Sequence, residues 1–240
     1  VHGSTVATNT MLEGKGAKTG MLTTQGFRDS LEIRRGIRED MWDHRAPFAP
    51  VLVPRYLRLG IPGRIDRDGI EITPLDEAAV EAAAQTLRDE GVEAVAVCLL
   101  NCFLNDDHER RCGEILARHF DRHHIALSSE IAPIIGEYER GSTAVVNATL
   151  SPRVVPYLKR LDETLTAGGL RHPMLLVQSN GGAASVAQVT SRPVNLALSG
   201  PAAAVGALNL VAEQTNHDDL ISMEIGGTSC DVVMMRGGQV

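Results

Sequence analysis

The spacing of apolar residues alternates along the chain between a helical and an extended period. Residues 75–90 predict an amphipathic helix, and a second helix is expected to end near residue 120. Residues 92–100 form a nearly continuous apolar run, and residues 125–129 form a shorter one. Such a long run is typical of a strand that is covered on both faces in a parallel sheet. The order helix, strand, helix, strand predicts a doubly wound α/β domain.

The rest of the chain follows the same two periods around a charged, proline-punctuated loop at residues 34–54. Further helices are predicted at residues 5–13, 26–32, 136–150, 152–167 and 201–213. Further strands are predicted at residues 17–23, 56–61, 63–65, 70–72 and 174–178. Ser199 is in position to cap the last of these helices, and Pro201 suits its first turn.

The C-terminal region carries the sharpest chemical pattern in the chain. Residues 219–235 read as an apolar strand, a turn and a second apolar strand. The turn is Gly226-Gly227-Thr228-Ser229. The two glycines let the backbone reach positive φ and remove the Cβ atoms that would block an anion, so that backbone N–H groups and the two hydroxyls can donate to phosphate oxygens. Glu224 and Asp231 are the oxygen ligands that the Mg²⁺ of a bound nucleotide needs, usually through water. A plain β-hairpin explains the turn alone equally well, but the flanking acids favour phosphate binding.

Two other small polar segments are candidate ligand sites. The predicted strand at residues 174–178 is followed by a turn, and ligands of open α/β sheets gather beyond the carboxyl ends of strands. That turn is Ser179-Asn180-Gly181-Gly182. It is a substrate or nucleotide loop, or a turn that only reverses the chain. The helix that starts near Ser199 and Gly200 would favour an anion at its N-terminus, but the residues alone favour a capped packing helix.

A basic cluster that includes Arg34 and Arg35 can hold a carboxylate or phosphate bidentately. It can equally pair with nearby acids, which are Glu32, Glu39 and Asp40. A second polar run enters a predicted helix and is either cavity lining or a salt-bridged surface. That run is Glu137-Tyr138-Glu139-Arg140.

Known metal and nucleophile motifs are incomplete in this sequence. His119 and His123 have the spacing of a helical metal pair but lack a third ligand, which favours a solvated helix end. His108 opens a zincin-like pattern whose second histidine is replaced by Cys112. Cys98 and Cys102 flank the end of an apolar strand and are predicted to be core residues. The sequence has no GxSxG elbow, Walker A loop or GxGxxG fingerprint.

Composition narrows the class of protein. The net charge of -7, from 23 basic and 30 acidic residues, and the aromatic content of 3% argue against nucleic acid as a partner. Apolar runs are too short to predict a membrane span, and no signal peptide opens the chain. The sparse cysteines favour a reduced, cytoplasmic setting. The first residue is Val1 and the last lies in a strand-like run, so we expect a fragment of a longer polypeptide.

Several motifs, in this order along essentially the whole chain, resemble the hydantoinase A / 5-oxoprolinase family. They are His2-Gly3-Ser4-Thr5-Val6-Ala7-Thr8-Asn9, Glu13-Gly14-Lys15-Gly16-Ala17-Lys18-Thr19, Leu22-Thr23-Thr24-Gln25-Gly26-Phe27-Arg28-Asp29, Glu137-Tyr138-Glu139-Arg140, Gln178-Ser179-Asn180-Gly181-Gly182, Leu198-Ser199-Gly200-Pro201-Ala202 and Gly226-Gly227-Thr228-Ser229-Cys230-Asp231. The family commonly has Asp before the glycines, whereas this chain has Glu224, with its carboxylate one methylene further out.

The resemblance implies the α/β fold of the actin/sugar-kinase/Hsp70 ATPases, in which two lobes clamp Mg-ATP. Residues 1–198 would be the first lobe without its N-terminal strands, the family's N-terminal region reaching to about residue 130 and its catalytic region starting after that. Residues 199–240 would be a connector helix and the first hairpin of the second lobe. By this likeness Gly226-Gly227-Thr228 is the second phosphate loop. The first phosphate loop is expected before Val1 and the adenosine-binding loop after Val240.

The resemblance also implies a function, with ATP and Mg²⁺ as cofactors. Family members activate an amide or carbonyl with ATP, so we expect hydrolysis of a hydantoin-like or 5-oxoproline-like cyclic amide through carbonyl phosphorylation. A hydantoinase B-type subunit or domain is the expected partner. One alternative is the ATPase subunit of a ketone carboxylase. Another, from a different class, is a non-enzymatic ATP-driven activator or scaffold. The isolated 240-residue chain is expected to be inactive.

Overall fold

The structure, a computed structural model, describes residues 1–37, 40–43, 45–46 and 50–240. Its helices are α1 (Val6–Leu12), α2 (Ser30–Ile33), α3 (Glu77–Asp89), α4 (Asp107–Leu116), α5 (Ser128–Ile131), α6 (Glu137–Ala167), α7 (Val186–Ser191) and α8 (Ser199–Thr215). Its strands are β1 (Thr19–Thr24), β2 (Arg58–Ile61), β3 (Arg64–Ile65), β4 (Glu71–Thr73), β5 (Ala94–Cys98), β6 (Ile125–Leu127), β7 (Leu175–Val177), β8 (Ala183–Ser185), β9 (Leu220–Ile225) and β10 (Cys230–Met235). Within these ranges every helix is too short or too polar to cross a bilayer.

The chain forms two compact units. One comprises Ala17–Pro152, and the other combines Val1–Gly16 with Arg153–Val240. The predicted lobe boundary between residues 198 and 199 is a different kind of division and stays a prediction.

A parallel sheet with strand order β2-β1-β5-β6 forms the centre of the Ala17–Pro152 unit. A Cβ added at Gly20 would lie 2.6 Å from a methyl of Leu87 in α3, whereas a Cβ at Gly141 in α6 would lie 3.2 Å from Met21 Cε. Gly20 and Met21 are successive residues of β1 and point to opposite faces, so α3 and α6 cover the two faces of the sheet. The predicted α/β architecture with a parallel sheet is confirmed.

The core of this unit explains why its strands could be recognised. Every residue of β1, β5 and β6 is buried, as a strand between two helical layers requires. The apolar face predicted for α3 is buried as well; it consists of Val80, Ala83, Ala84 and Leu87.

A buried polar network fastens the chain where β5 ends. The Glu109 carboxylate accepts from the backbone N–H groups of Leu99 (2.8 Å) and Ser129 (2.8 Å) and from the Ser128 hydroxyl (2.7 Å). Arg140, in the first turns of α6, donates to the carbonyls of Leu99 (3.0 Å) and Ile134 (2.8 Å) and to Ser128 Oγ (3.2 Å). The network therefore holds the start of α6 at the carboxyl end of β5.

The other unit is built from two antiparallel hairpins and α8. Strands β7 and β8 pair with each other, and His2 bridges in parallel to Leu176 of β7. Strands β9 and β10 form the second hairpin, and α8 packs against both β9 and β10 as well as β7. The predicted C-terminal hairpin is confirmed.

Two local predictions were wrong. Residues 137–167 form one continuous helix rather than two, with Pro152 and Pro156 inside it. A proline removes one helical hydrogen bond, but the buried side chains of Val154, Val155 and Leu158 anchor the helix beyond the first of them. Ser199 does not cap α8: the preceding Leu198 adopts a left-handed conformation, and Ser199 is the first helical residue.

Candidate functional site

The turn between β9 and β10 is closed by the Gly226 N–H, which donates to the Ser229 carbonyl at 2.9 Å. Glu224 and Asp231 are direct cross-strand partners in the register of this hairpin. Partners in a ladder project their side chains to the same face. The two acids thus lie side by side just before and after the turn.

The two faces of this hairpin differ in character. One face is partly or fully buried and carries the two acids; its residues are Leu220, Ser222, Glu224, Asp231, Val233 and Met235. The opposite face is exposed and apolar, with Ile221, Met223, Ile225, Val232 and Met234. Both strands pack against α8, so the acids belong to the side of the hairpin that meets the rest of its unit.

The glycines of the turn provide space rather than an unusual backbone. Neither Gly226 nor Gly227 is among the residues with positive φ, so the turn does not use that conformational freedom. A Cβ at Gly227 would have no atom within 4 Å in the part of the chain that the structure describes, and a Cβ at Gly226 would meet only the Ser229 carbonyl at 3.4 Å. The Gly226 N–H is engaged with Ser229, so the open space at Gly227 is what lets an anion approach the backbone.

The start of α8 lies beside the hairpin. A Cβ at Gly200 would be 4.0 Å from Glu224 Oε2 and 3.4 Å from a methyl of Thr5. The Ser199 hydroxyl is buried and donates to the Ser4 carbonyl at 2.9 Å. Its proton is therefore engaged with the chain, which leaves the backbone N–H groups of the first turn of α8 as the donors available to an anion.

Residues near the N-terminus contribute to this region, which the sequence did not indicate. Leu198 N–H donates to Thr8 Oγ1 at 2.9 Å. Lys15 lies 2.5 Å from Glu13 Oε2 and lowers the pKa of Glu13, and a hydrogen bond from Thr228 adds a smaller lowering. A cation and an acid from the α1 region thus stand next to the turn.

This set of groups fits a magnesium nucleotide. The turn offers backbone donors and the hydroxyls of Thr228 and Ser229, and the Ser229 hydroxyl lies 3.4 Å from Asp231 Oδ2. Among the described residues, no group of three or more histidine, cysteine or acidic side chains could hold a metal by itself. Mg²⁺ commonly takes one or two carboxylates and completes its shell with phosphate oxygens and water. Glu224 and Asp231 are suited to that role.

The turn at residues 179–182 satisfies its own polar groups. Asn180 Oδ1 accepts from Gly182 N–H at 2.9 Å, Gly181 N–H donates to the Gln178 carbonyl, and Ser179 N–H donates to the Asn195 carbonyl. These bonds make the turn a well-formed chain reversal. It also borders an open cleft beside α8, so the assignment of its residues to substrate stays a prediction.

Arg34 and Arg35 lie in the other compact unit, beside the first turn of α6. Arg35 pairs with Glu139, and both arginines border a cleft together with Glu137 and Tyr138. The polar run at residues 137–140 was interpreted as either cavity lining or a salt-bridged surface. Both interpretations hold in part, because the run includes cleft-lining side chains, an ion pair and a buried arginine. Arg38 and Glu39 lie outside the described residues.

Cys98 and Cys102 are core residues, as predicted, and two of the histidines lie beside acids. His108 Nε2 lies 2.6 Å from Glu71, and His119 Nε2 lies 2.5 Å from Glu81. Cys98, Cys102 and Cys112 are buried and free. Burial raises the pKa of Cys98 and of Cys112 to about 12, and it raises that of Cys102 further still.

The fold described above is that of an α/β protein with a parallel sheet. Residues 1–120 match the hydantoinase/oxoprolinase N-terminal region, and residues 140–240 match the hydantoinase/oxoprolinase domain. The chain belongs to the hydantoinase/oxoprolinase family.

Similar proteins include enzymes that act on amides and on ketones. The chain is 42% identical over 241 residues to caprolactamase subunit alpha of Pseudomonas jessenii, covering 100% of this chain and 35% of that protein. It is 32% identical to the acetophenone carboxylase gamma subunit of Aromatoleum aromaticum, covering 98% of this chain and 34% of that protein. It is 29% identical to 5-oxoprolinase of Saccharomyces cerevisiae, covering 99% of this chain and 20% of that protein.

Solved structures show the same fold. The crystal structure of the ATP-dependent caprolactamase from Pseudomonas jessenii matches 98% of this chain and 34% of that one, with 41% identity and a TM-score of 0.83. A nucleotide-free acetone carboxylase, 23% identical with a TM-score of 0.87, covers 99% of this chain and 35% of that one and supports the fold alone. The chain spans about a third or less of the length of these relatives.

Proposed function

We propose that the chain is part of an ATP-dependent enzyme that hydrolyses a cyclic amide. The observation that carries the proposal is the hairpin turn, where open glycine backbone, two hydroxyls and the Glu224/Asp231 pair meet the start of α8. The relatives add support, since one similar solved structure is an ATP-dependent caprolactamase.

The reaction we propose uses ATP to make a poor electrophile reactive. The amide oxygen attacks the γ-phosphorus, ADP leaves, and the oxygen of the amide becomes part of a phosphate ester. Water then adds to the carbon, and the ring C–N bond breaks as the nitrogen takes up a proton, which leaves an acyl phosphate. A second water hydrolyses the acyl phosphate, so that phosphate departs and the amino acid remains. The protein contributes positioning and neutralisation of charge.

Within this scheme each group of the hairpin has a role. The backbone N–H of Gly227 and the Thr228 and Ser229 hydroxyls orient the phosphates, and Gly226 leaves room for them to approach. Glu224 and Asp231 hold Mg²⁺, directly or through water, and the ion offsets the negative charge of the phosphates. The first-turn N–H groups of α8, at Ser199 and Gly200, provide further donors.

The same proposal includes the larger setting of the chain. We place it in the actin/sugar-kinase/Hsp70 class of ATPase folds, with residues 1–198 in a first lobe and residues 199–240 opening a second. A hydantoinase B-type partner and a cytoplasmic location belong to this proposal. Two of the relatives are named as subunits, which supports the expectation of a partner.

A second candidate function is the ATPase subunit of a ketone carboxylase. The identity of 32% to the acetophenone carboxylase gamma subunit extends over 250 residues and favours it specifically. Phosphorylation of a ketone enolate would use the same phosphate-binding turn, so the hairpin does not separate the two.

Substrate-dependent ATP turnover by the full-length protein with its partner subunits tests the proposal. The panel is a lactam, a hydantoin, 5-oxoproline, and acetone or acetophenone with bicarbonate. We expect ADP formation to rise with a cyclic amide. A rise with ketone and bicarbonate alone would select the carboxylase, whereas ATP hydrolysis that no small substrate changes would select the activator or scaffold.

A further inference from the structure

A cleft of about 470 Å³ lies in the Ala17–Pro152 unit, where the chain leaves β1 and where α6 begins. One wall is the segment from Gly26 to Arg35, which includes α2, and the other is the first turn of α6. The first wall follows the carboxyl end of β1, and the second is held at the carboxyl end of the neighbouring strand β5 by Arg140, which donates to the Leu99 carbonyl. Ligands of parallel sheets gather at that edge.

An ion pair between Arg35 and Glu139 links the two walls. Glu139 lies over Gly136, where an added Cβ would come within 2.6 Å of Glu139 Oε2 and where φ is +102°. Its own backbone N–H lowers the pKa of Glu139, and Arg35 lowers it further. The cleft thus holds an ionised hydrogen-bond acceptor next to a hydrogen-bond donor.

The backbone at the same place is strained. Arg34 has φ 53° and ψ -127°, a region that residues other than glycine rarely occupy. Strain of this kind costs about 1–3 kcal/mol and is concentrated at ligand-binding and catalytic sites. The strained residue borders the cleft directly.

An apolar cavity adjoins this cleft. Arg34 and Tyr138 border both spaces. The remaining wall of the second cavity is mostly hydrocarbon and includes Leu31, Val51, Val145 and Val146. A ligand that reaches from one space into the other would need a polar edge and an apolar body.

We propose that this cleft binds the substrate ring, and that the substrate is a neutral lactam with a hydrocarbon ring. This assignment rests on the proposed function. In a small ring the amide is cis, so its C=O and N–H lie on one edge. Arg35 donates to the carbonyl oxygen and Glu139 accepts from the N–H, while the methylene groups enter the apolar cavity.

Charge argues for a neutral ring. Each acid that borders the cleft among the described residues already has a cationic partner: Asp29 pairs with Arg55, Glu137 with Arg140 and Glu139 with Arg35. A ring that carries its own carboxylate, such as 5-oxoproline, would compete with Glu139 for Arg35, whereas a neutral ring adds no charge to this paired site.

The test measures binding without turnover, in the full-length protein with its partner subunits. The probes are ε-caprolactam and, for comparison, the anionic 5-oxoproline. The binding of each radiolabelled probe is measured by equilibrium dialysis. Glu139→Gln and Arg35→Met are the test variants. Glu77→Gln and Arg111→Met are matched controls, because they remove the partners of another exposed ion pair in the same unit.

We expect ε-caprolactam to bind the test variants about tenfold more weakly or worse, since each loses a charged hydrogen bond. The KM for ATP and the thermal unfolding temperature should stay unchanged, and both controls should bind as the wild type does. Gly136→Ala should reproduce the loss seen in Glu139→Gln, because its methyl group displaces the carboxylate.

Three outcomes would overturn the assignment. Test variants that bind the lactam as well as the controls would remove the cleft as the substrate site while leaving ATP-dependent amide hydrolysis intact. Wild-type protein that binds 5-oxoproline more tightly than the lactam would overturn the neutral-ring class. Wild-type protein that neither binds nor turns over any cyclic amide would end both this assignment and the proposed function.

Discussion

The space that a side chain would occupy at Gly227 is open. A ligand that binds at the turn needs this space. The nearest described atoms are all more than 4 Å from an added Cβ. A packing role would instead place a neighbour against the glycine. Gly20 shows that pattern, with Leu87 pressed against it.

We therefore predict that Gly227→Val in the full-length protein weakens ATP binding by about tenfold or more and leaves the unfolding temperature unchanged. The valine occupies phosphate space but meets no protein atom. Isothermal titration with a non-hydrolysable ATP analogue measures the first quantity and calorimetry the second. Gly206→Val, at an exposed helical position with equally open surroundings, is the control and should bind nucleotide normally.

A substitution at Asp231 tests the role of charge, whereas the substitution at Gly227 tests the role of open space. Asp231→Asn keeps the shape of the side chain and removes the negative charge that would hold Mg²⁺. We expect Mg²⁺-dependent turnover to fall by about 10–100-fold with a smaller change in nucleotide affinity, because the charge matters most in the transition state. Asp218→Asn, on the exposed turn that precedes β9, should keep normal turnover. Equal turnover in both variants would contradict a metal-holding role.

At this scale the sequence predicted the turn and its two acids but not their surroundings. Glu224 and Asp231 were identifiable because they flank a local motif, and hairpin register then makes them partners. The contact of Ser199 with Ser4 joins residues 195 positions apart in sequence. No local pattern encodes such a contact, so the capping role assigned to Ser199 was wrong.

The helix and strand elements are stabilised by a few buried polar groups as well as by hydrocarbon. Arg140 is fully buried and donates to two backbone carbonyls that belong to neither helix nor strand. Glu109 is equally buried and accepts from two backbone N–H groups. These side chains substitute for secondary structure where β5 and β6 end.

Replacing either of these two buried side chains, Arg140 or Glu109, should destabilise the fold. We predict that Arg140→Met lowers the free energy of unfolding by about 3 kcal/mol or more, because the Leu99 and Ile134 carbonyls lose their donor and buried Glu109 loses a nearby positive charge. Glu109→Gln should cost about 1–3 kcal/mol, since its amide NH₂ would face a backbone donor. Urea denaturation followed by circular dichroism measures both. Exposed Arg153→Met should stay within about 0.5 kcal/mol.

A helix or strand was predicted correctly where the physical cause of its formation leaves a pattern in the local sequence. β5 was recognisable because both faces are covered, so its residues are uniformly apolar. Helix α6 was divided in the prediction because prolines usually end helices. Its continuity depends on tertiary burial of Val154 and Val155, which a local spacing rule does not include.

At the scale of the whole molecule, the reactivity of three thiols shows whether one hydrophobic core is folded. Cys98, Cys102 and Cys112 belong to the same buried cluster as the sheet residues. Burial raises their pKa values, to about 12 for Cys98 and Cys112. Because the thiolate is the reactive form, a raised pKa lowers the reactive fraction at any pH below it.

We predict that these three cysteines resist iodoacetamide at pH 8 in the native protein and react in urea. Peptide mapping by mass spectrometry after alkylation provides the measurement. Because exposure requires the core to open, all three should become reactive over the same range of urea concentration. Labelling of Cys98 in native protein at pH 8 would contradict the buried position.

Family membership and the α/β fold could both be predicted from the sequence, because they depend on motifs and periods spread over the whole chain. The cleft beside Arg35 could not. Its walls come from residues 26–35 and 136–139, which are brought together only when β1 and β5 pair. Sequence alone left the arginine cluster between ligand binding and salt bridging, and the structure shows it pairing with Glu139, an acid that was not considered.

Gly136 has a practical consequence for redesign of this chain. It contributes no functional group, yet any larger residue there would push the Glu139 carboxylate aside. A mutant library aimed at altered ring size should keep position 136 constant and vary Leu31, Val145 and Val146 instead. Such a library would change the volume available to the hydrocarbon part of the ring. Arg35 and Glu139 would keep their positions for contact with the amide.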